Sequence, residues 1–219
     1  MNQGQSVFPG DVIATGDYRP EQNVVLDGDR LISTAIGFSE IKDDIVSVIP
    51  LTGFYHPNID DLVIGKIISH NALSWEAYIN SYYPGILLAS DIFGKDYSAS
   101  RDDLSLKLNI GDIVLARVAN MGSRDPLLTI VGENLGRIDS GELVKISSTT
   151  IPYLTDSIIQ TIEASANATL TVGQNGLIVL KCDNSTGLTK ATKAIKMIDM
   201  MRDNDSIEEK IKKFLDEEN

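Results

Sequence analysis

Aromatic rings and cations collected in the middle third of the chain are the side chains best suited to chemistry. The rings are Trp75, Tyr78, Tyr82 and Tyr83, and the cations are Lys66, His70, Arg117 and Arg124. Unpaired bases stack on aromatic faces and cations pair with phosphates, so this combination suits a single-stranded nucleic acid. Stacking contributes about 1–3 kcal/mol per base, so one or two exposed rings would have a measurable effect.

The spacing of the rings separates exposed from buried candidates. Tyr82 and Tyr83 precede Pro84-Gly85, a turn signal that predicts exposure of both rings. Tyr78 is expected in the core, whereas Trp75 fits either the core or a base-stacking surface. Trp75 and Tyr82 are seven positions apart, so a continuous strand places them on opposite faces. A bulge or turn must intervene if both line one surface.

Five short β-runs must position these residues. The runs are Ile59–Ile68, Ser74–Asn80, Ile86–Ala89, Ile113–Val118 and Leu127–Val131. Gly65 predicts a bend or bulge in the first run, and Arg101–Leu108 predicts a short helix before the fourth. Five strands with a small helix before the fourth are typical of an OB-type β-barrel.

Two loops of such a barrel bind oligonucleotides: the one between the first two strands and the one between the last two. His70 and Asn71 lie in the first predicted loop, and Gly122, Ser123 and Arg124 lie in the second. Solvated loop residues are the alternative interpretation for His70 and Arg124.

The segments on either side of the barrel predict two further domains. We predict a small N-terminal β domain at 1–58, the OB-fold at 59–136 and a mixed α/β domain at 137–219. Asp27-Gly28-Asp29 between two β-runs indicates a hairpin in the first domain. The predicted fold class is therefore mainly β with an α+β C-terminal part.

The C-terminal part shows three helical patterns and one tight turn. Asp156 is a candidate cap of the first helix, Leu188–Met201 is amphipathic, and Ser206 with Glu209 forms a capping box for the last. Gly173-Gln174-Asn175-Gly176 between two β-runs predicts a hairpin. For Lys190, Lys193 and Lys196, a solvated helix face is favoured over contact with RNA.

Charge and composition limit the possible partners. The net charge is −12, and it divides into −5, −4 and −3 over residues 1–58, 59–136 and 137–219, so no segment is cationic. A uniformly negative surface repels phosphate, which argues against indiscriminate binding to nucleic acid or membrane but leaves a local site possible. The single cysteine, Cys182, and the polar N-terminal residues predict a cytoplasmic protein without a disulfide or membrane span.

Enzymatic and metal-binding motifs are missing from the sequence. Gly-x-Ser-x-Gly, P-loop and His-Glu-x-x-His patterns do not occur, and two histidines give no indication of a triad. The pairs Asp43-Asp44, Asp60-Asp61 and Asp102-Asp103 are better explained as turn caps than as magnesium ligands, because adjacent strand residues face opposite ways. We therefore expect no catalysis, no metal and no cofactor.

Four segments, taken in order, resemble one family. Residues 61–67 and 108–118 are similar to the ribosomal-protein type of OB RNA-binding domain, here called the S-one type. Gly136-Arg137 and residues 172–179 resemble a KH module, and residues 7–13 and 45–53 resemble an N-terminal β domain. Together they resemble the S-one/KH cap subunit of the archaeal RNA exosome, over nearly the whole chain.

The resemblance implies a non-catalytic, RNA-binding protein. Three copies of such a subunit cap a hexameric ring of RNase PH-type phosphorolytic subunits, capture single-stranded RNA and guide its 3′ end inward. A freestanding RNA-binding module in translation or RNA folding is the first alternative, and a structural adaptor without RNA contact is the second.

One departure from the KH pattern favours the adaptor alternative. A KH module holds the RNA backbone with a GXXG loop between two helices. The corresponding residues 151–159 contain neither glycine nor lysine. We therefore expect this domain to serve mainly as a packing or docking surface.

Overall fold

A computed structural model describes residues 5–50, 54–94, 96–98, 100, 102–122, 125–200 and 207–217. The chain divides into two compact units, Met1–Gly53 and Phe54–Asn219. The domain boundaries at 58 and 136 remain predictions, because the second unit contains both the barrel and the C-terminal part. Within the described ranges, no helix has the length and apolar character needed to cross a membrane.

The described residues of the first unit form two small antiparallel-rich sheets. Their strands are β1 (Ser6–Val7), β2 (Val12–Thr15), β3 (Arg19–Pro20), β4 (Val24–Asp27), β5 (Arg30–Ser33), β6 (Gly37–Lys42) and β7 (Ile45–Pro50). The sheet orders are β1-β6-β7-β3 and β2-β5-β4, with Leu31 and Val46 fully buried. Gly28, at φ +66°, closes the hairpin predicted between β4 and β5. Asp43 and Asp44 both have positive φ and close the β6–β7 hairpin, as the turn interpretation predicts.

The second unit begins with the barrel that the sequence predicts. Its elements are β8 (Leu62–His70), β9 (Ser74–Tyr78), β10 (Gly85–Leu88), α1 (Ala89–Phe93), β11 (Ile113–Met121), β12 (Pro126–Thr129) and β13 (Gly136–Ile138). Strands run in the order β12-β10-β9-β8-β11, and β12 pairs again with β11, which closes the barrel. The helix predicted at 101–108 is only a 3₁₀ turn at Leu104–Leu106, capped by Asp103.

Gly65 is not at a bulge, contrary to the prediction. The register of β8 against β9 shifts between Ile67 and Ser69 instead. Gly65 lies where the barrel wall is crowded, since a Cβ there would come within 3.1 Å of the Ala77 Cβ. A glycine at this position therefore reflects close packing rather than a bend.

The C-terminal part is a three-stranded sheet covered on one face by helices. Its elements are β14 (Glu142–Lys145), a 3₁₀ turn (Ser148–Tyr153), α2 (Asp156–Ala166), β15 (Ala168–Val172), β16 (Leu177–Cys182), α3 (Ser185–Met200) and α4 (Ile207–Glu217). The sheet order is β14-β16-β15, and Ile162, Ile195 and Ile211 are fully buried between sheet and helices. The predicted fold class, mainly β with an α+β C-terminal part, is confirmed.

Three helix predictions need comment. The side chain of Thr155, rather than Asp156, caps α2 by accepting a hydrogen bond from the Ile158 N–H. Lys190 is buried rather than solvated, because it shares the inner face of α3 with Ala191 and Ala194. The proposed cap Ser206 lies outside the described residues.

Candidate nucleic-acid interface

Three exposed aromatic rings lie together near the loop between β9 and β10. Tyr82 is 75% exposed, Phe54 53% and Tyr83 45%. The Tyr82 ring meets Phe54 edge-on at a centroid distance of 5.3 Å and meets Tyr83 edge-on at 5.7 Å. This aromatic cluster, defined as Phe54, Tyr82 and Tyr83, offers ring surface to solvent on which unpaired bases can stack.

Hydrogen bonds hold the two segments of the aromatic cluster in place. Tyr55 forms a parallel bridge with Ser81, and its N–H donates to the Asn80 carbonyl oxygen at 3.0 Å. The Tyr55 hydroxyl donates to the Asp61 carboxylate. Burial and this hydrogen bond raise the pKa of the Tyr55 hydroxyl, so it remains a donor at neutral pH. Phe54 and Tyr82 therefore sit beside anchored backbone.

Lys66 and Arg117 are exposed cations on neighbouring strands of the barrel. Lys66 lies on β8, directly opposite Tyr78 on β9. Arg117 lies on β11, and its Nη1 donates to the Asp60 carbonyl oxygen at 2.9 Å. Part of the Arg117 guanidinium is thus used to hold the turn before β8, while Lys66 makes no such contact in the described structure.

His70 lines an acidic cleft at the end of β8. The cleft has a volume of about 480 Å³, and Asp102, Asp103 and Tyr97 also line it. The Ser105 hydroxyl and N–H donate to Asp103 and lower the pKa of that carboxyl, and His70 lowers it further by its charge. Because the carboxylates are negative, the RNA contact predicted for His70 suits an amino group of a base better than a phosphate.

Trp75 does not belong to a stacking surface. It is fully buried, its Nε1 donates to the Leu108 carbonyl oxygen at 3.1 Å, and its ring stacks near Phe93. Trp75 pairs directly with Leu87, and both point into the barrel. The RNA-binding role predicted for Trp75 is therefore replaced by a core role.

Tyr78 lies three positions further along and on the opposite, outer face of β9. It is half-buried in an apolar cluster where the barrel meets the C-terminal sheet, not in the barrel core. Arg124, with its neighbour Ser123, lies outside the described residues, and its RNA contact remains a prediction.

The hairpin at 173–176 joins the C-terminal sheet to the barrel. The fully buried Asn175 side chain accepts a hydrogen bond from the Ile64 N–H at 3.2 Å and donates to the carbonyl oxygens of Ile64 at 2.7 Å and Ile79 at 2.9 Å. The Gln174 side chain accepts from the Leu62 N–H at 2.6 Å. The hairpin thus continues the hydrogen bonding of β8 beyond the end of β9.

Apolar side chains complete this contact, which we call the seam. Ile64 from the barrel and Leu177 and Val179 from β16 are buried there. Gly176 has a φ of +77°, and a Cβ on it would lie 2.5 Å from the Ile146 carbonyl oxygen, so glycine is required. The hairpin interpretation of these four residues is correct, and they pack against protein rather than binding a ligand.

Sequence reasoning missed two residues of this surface. Phe54 joins the aromatic cluster although it lies 28 positions before Tyr82. Lys145 of the C-terminal part reaches the barrel, where its Nζ donates to the Tyr78 hydroxyl at 3.0 Å. Neither residue carries a local signal, because only the folded chain brings it to the barrel.

Comparisons with known proteins agree along the chain. Residues 5–52 match the family model described as the Exosome RNA binding protein RRP4 N-terminal domain. The chain is 52% identical over 214 residues to the exosome complex component Rrp4 of Nitrosopumilus maritimus, covering 96% of this chain and 95% of the relative. It is 36% identical over 184 residues to the Rrp4 of Pyrobaculum aerophilum, covering 81% and 78%.

A solved structure supports the same relationship. A crystal structure assigned to an exosome complex RNA-binding protein matches with a TM-score of 0.71 and 35% identity. The match covers 76% of this chain and 97% of that one. Sequence and structure comparisons therefore confirm the resemblance found in the sequence. The chain belongs to the Rrp4 family of exosome complex components.

Proposed function

We propose that this protein is a non-catalytic, RNA-binding cap subunit of an archaeal exosome in the cytoplasm. It captures single-stranded RNA and guides the 3′ end into a hexameric ring of RNase PH-type subunits, which degrade or process the RNA. The observation that carries this proposal is 52% identity to an exosome complex component over 96% of the chain. The same similarity favours the cap over a freestanding module in translation or RNA folding.

The aromatic cluster is the first RNA contact in this proposal. Tyr82 presents most of its surface to solvent, and Phe54 and Tyr83 support it on either side. Stacking does not depend on base identity, since every base has a π-face. A subunit that feeds diverse RNA into a nuclease is served by this tolerance.

The acidity of the chain limits the contribution of phosphate contacts. With a net charge of −12, one copy offers only local cations such as Lys66 and Arg117. We expect weak binding by one copy, and three copies around a pore raise the effective affinity by multivalency. The absence of a glycine between the 3₁₀ turn and α2 in residues 151–159 supports RNA binding by the barrel rather than by a KH loop.

Reconstitution with the ring subunits tests the proposal. The chain is mixed with RNase PH-type ring subunits, and the mixture is run on size exclusion and assayed for phosphorolysis of a labelled single-stranded RNA. We expect co-elution, faster RNA turnover than with the ring alone, and no turnover by the chain alone. Independent elution with unchanged turnover would contradict the cap function and favour a freestanding module.

A further inference from the structure

Two lysines from different parts of the second unit converge on one tyrosine at the seam. Lys66 lies on β8 directly opposite Tyr78, and Lys145 on β14 donates to the Tyr78 hydroxyl at 3.0 Å. Both lysines are exposed, whereas Tyr78 is half-buried. We call Lys66, Tyr78 and Lys145 the seam patch.

Lys145 is positioned by a chain of hydrogen bonds that runs into the buried seam. The Tyr78 hydroxyl, which accepts from Lys145, donates to the Asn80 Oδ1 at 3.2 Å. Asn80 is 2% exposed, and its Nδ2 donates to the Asn175 carbonyl oxygen at 2.7 Å. The ammonium group of Lys145 is therefore held in place before any ligand arrives, which reduces the entropy lost on binding.

The two ammonium groups of the seam patch have no carboxylate partner in the described part of the chain, where ion pairs were sought to 4.0 Å. Nearby Arg137, in contrast, pairs with Asp139 at 3.0 Å and with Asp112 at 3.8 Å. In a chain with 31 acidic residues and 19 basic ones, two neighbouring cations without counter-ions form a local positive site.

We propose that the seam patch binds a phosphodiester of the single-stranded RNA, which makes the seam a second RNA contact beside the aromatic cluster. An ammonium group has three donors, and Lys145 uses one on Tyr78, so two remain for phosphate oxygens. Lysine binds phosphate as a point charge and needs no fixed angle. This assignment rests on the proposed function, because RNA is the ligand in both.

The position of the seam patch on the chain favours an RNA backbone as its occupant. Tyr78 and Tyr82 are four residues apart, so at most roughly 14 Å of chain separates the seam patch from the aromatic cluster. One short strand of RNA can therefore place a base on Tyr82 and a phosphate at the two lysines. A free phosphate ion would gain nothing from the aromatic cluster.

A charge-matched pair of variants tests the assignment. Binding of a labelled oligoadenylate to the full chain is measured by fluorescence anisotropy at several salt concentrations for wild type, for the double variant K66A/K145A and for K196A/K210A. The control removes two exposed lysines from α3 and α4, so both variants change the net charge equally. Each lost phosphate contact on a single strand reduces the slope of log affinity against log salt by about 0.7.

We expect K66A/K145A to lower the slope by about 1.4 and the control to leave it unchanged. Tyr78→Phe, which keeps the ring and loses the hydroxyl that holds Lys145, should weaken binding by less than the double variant. An unchanged slope in K66A/K145A, or an equal loss in the control, overturns the proposal. Inorganic phosphate added at constant ionic strength should compete poorly, and complete competition by it would overturn RNA as the occupant.

Size exclusion with the ring subunits separates this proposal from the cap function. If K66A/K145A loses co-elution with the ring but keeps the wild-type salt slope, the lysines bind protein carboxylates and the seam assignment is wrong. If the wild-type chain never co-elutes but the slope falls as expected, the seam assignment stands and the cap function fails. Wild type that co-elutes but binds no oligonucleotide overturns the seam assignment alone.

Discussion

Replacing Asn175 by alanine is expected to destabilise the second unit by about 3–5 kcal/mol. The variant removes one hydrogen bond from the Ile64 N–H and two to the carbonyl oxygens of Ile64 and Ile79. Asn175 is fully buried, so these backbone groups lose their partner in a place that water reaches poorly. An unpaired buried polar group costs about 1–3 kcal/mol, and partial hydration of the vacated space keeps the total below the sum.

The assay is urea denaturation with thermal melting on the same samples. For a domain of this size, each kcal/mol lowers the melting temperature by about 2–4 °C, so we expect a fall of roughly 6–20 °C. Gln174→Ala is the matched control. Gln174 also loses one hydrogen bond to β8, but it is exposed, so water replaces the amide and the cost should stay below about 1 kcal/mol.

Equal stability of the two variants would refute the reasoning. Such a result would mean that the Asn175 amide is not needed to satisfy the edge of β8. An Asn175→Ala variant that lost stability with an unchanged urea m-value would support the hydrogen-bond account, because the surface exposed on unfolding would be the same.

Three further predictions concern the aromatic residues. Trp75→Ala should lower the free energy of unfolding by about 3–5 kcal/mol in urea denaturation, and a loss of RNA affinity in the folded fraction would contradict its core role. Tyr82→Ala should weaken oligonucleotide binding in anisotropy titrations by about 1–3 kcal/mol, whereas Tyr82→Phe should retain binding; equal losses would exclude stacking. Tyr55→Phe tests pH dependence. Since the folded pKa of Tyr55 is raised above 10.0, its contribution to stability is fully present below that pH and decreases as pH rises further. Urea denaturation from about pH 8 to about pH 11 should therefore show the wild type losing its advantage, and a constant difference would contradict the raised pKa.

The barrel was predictable because its strands carry local signals. Alternating apolar residues and turn residues lie within a few positions of one another, and the five β-runs of the sequence correspond to strands β8 to β12. Alternation also separated Trp75 from Tyr78, but it does not say which of two faces is inward. Direct pairing of Trp75 with Leu87 decides that question, and this pairing is tertiary information.

The candidate site was less predictable because its contacts are long-range. Tyr82 and Tyr83 were found from the adjacent Pro84-Gly85 turn signal. Phe54 and Lys145 were missed because one joins the cluster from 28 residues away and the other reaches Tyr78 from 67 residues away. The RNA contacts of Lys66, His70, Arg117 and Arg124 remain predictions, as no observation tests them.

The long-range contact between Asn175 and β8 also has a consequence for synthesis of the chain. Ile64 and Asn175 are 111 residues apart, so the ribosome completes β8 well before its partner exists. At about 5–20 residues per second, the interval is roughly 5–20 s. During that time the barrel exposes the unpaired edge at Ile64 and the apolar surface that Leu177 and Val179 later cover. The nascent barrel is therefore most exposed to aggregation just before the last strand of the C-terminal sheet emerges.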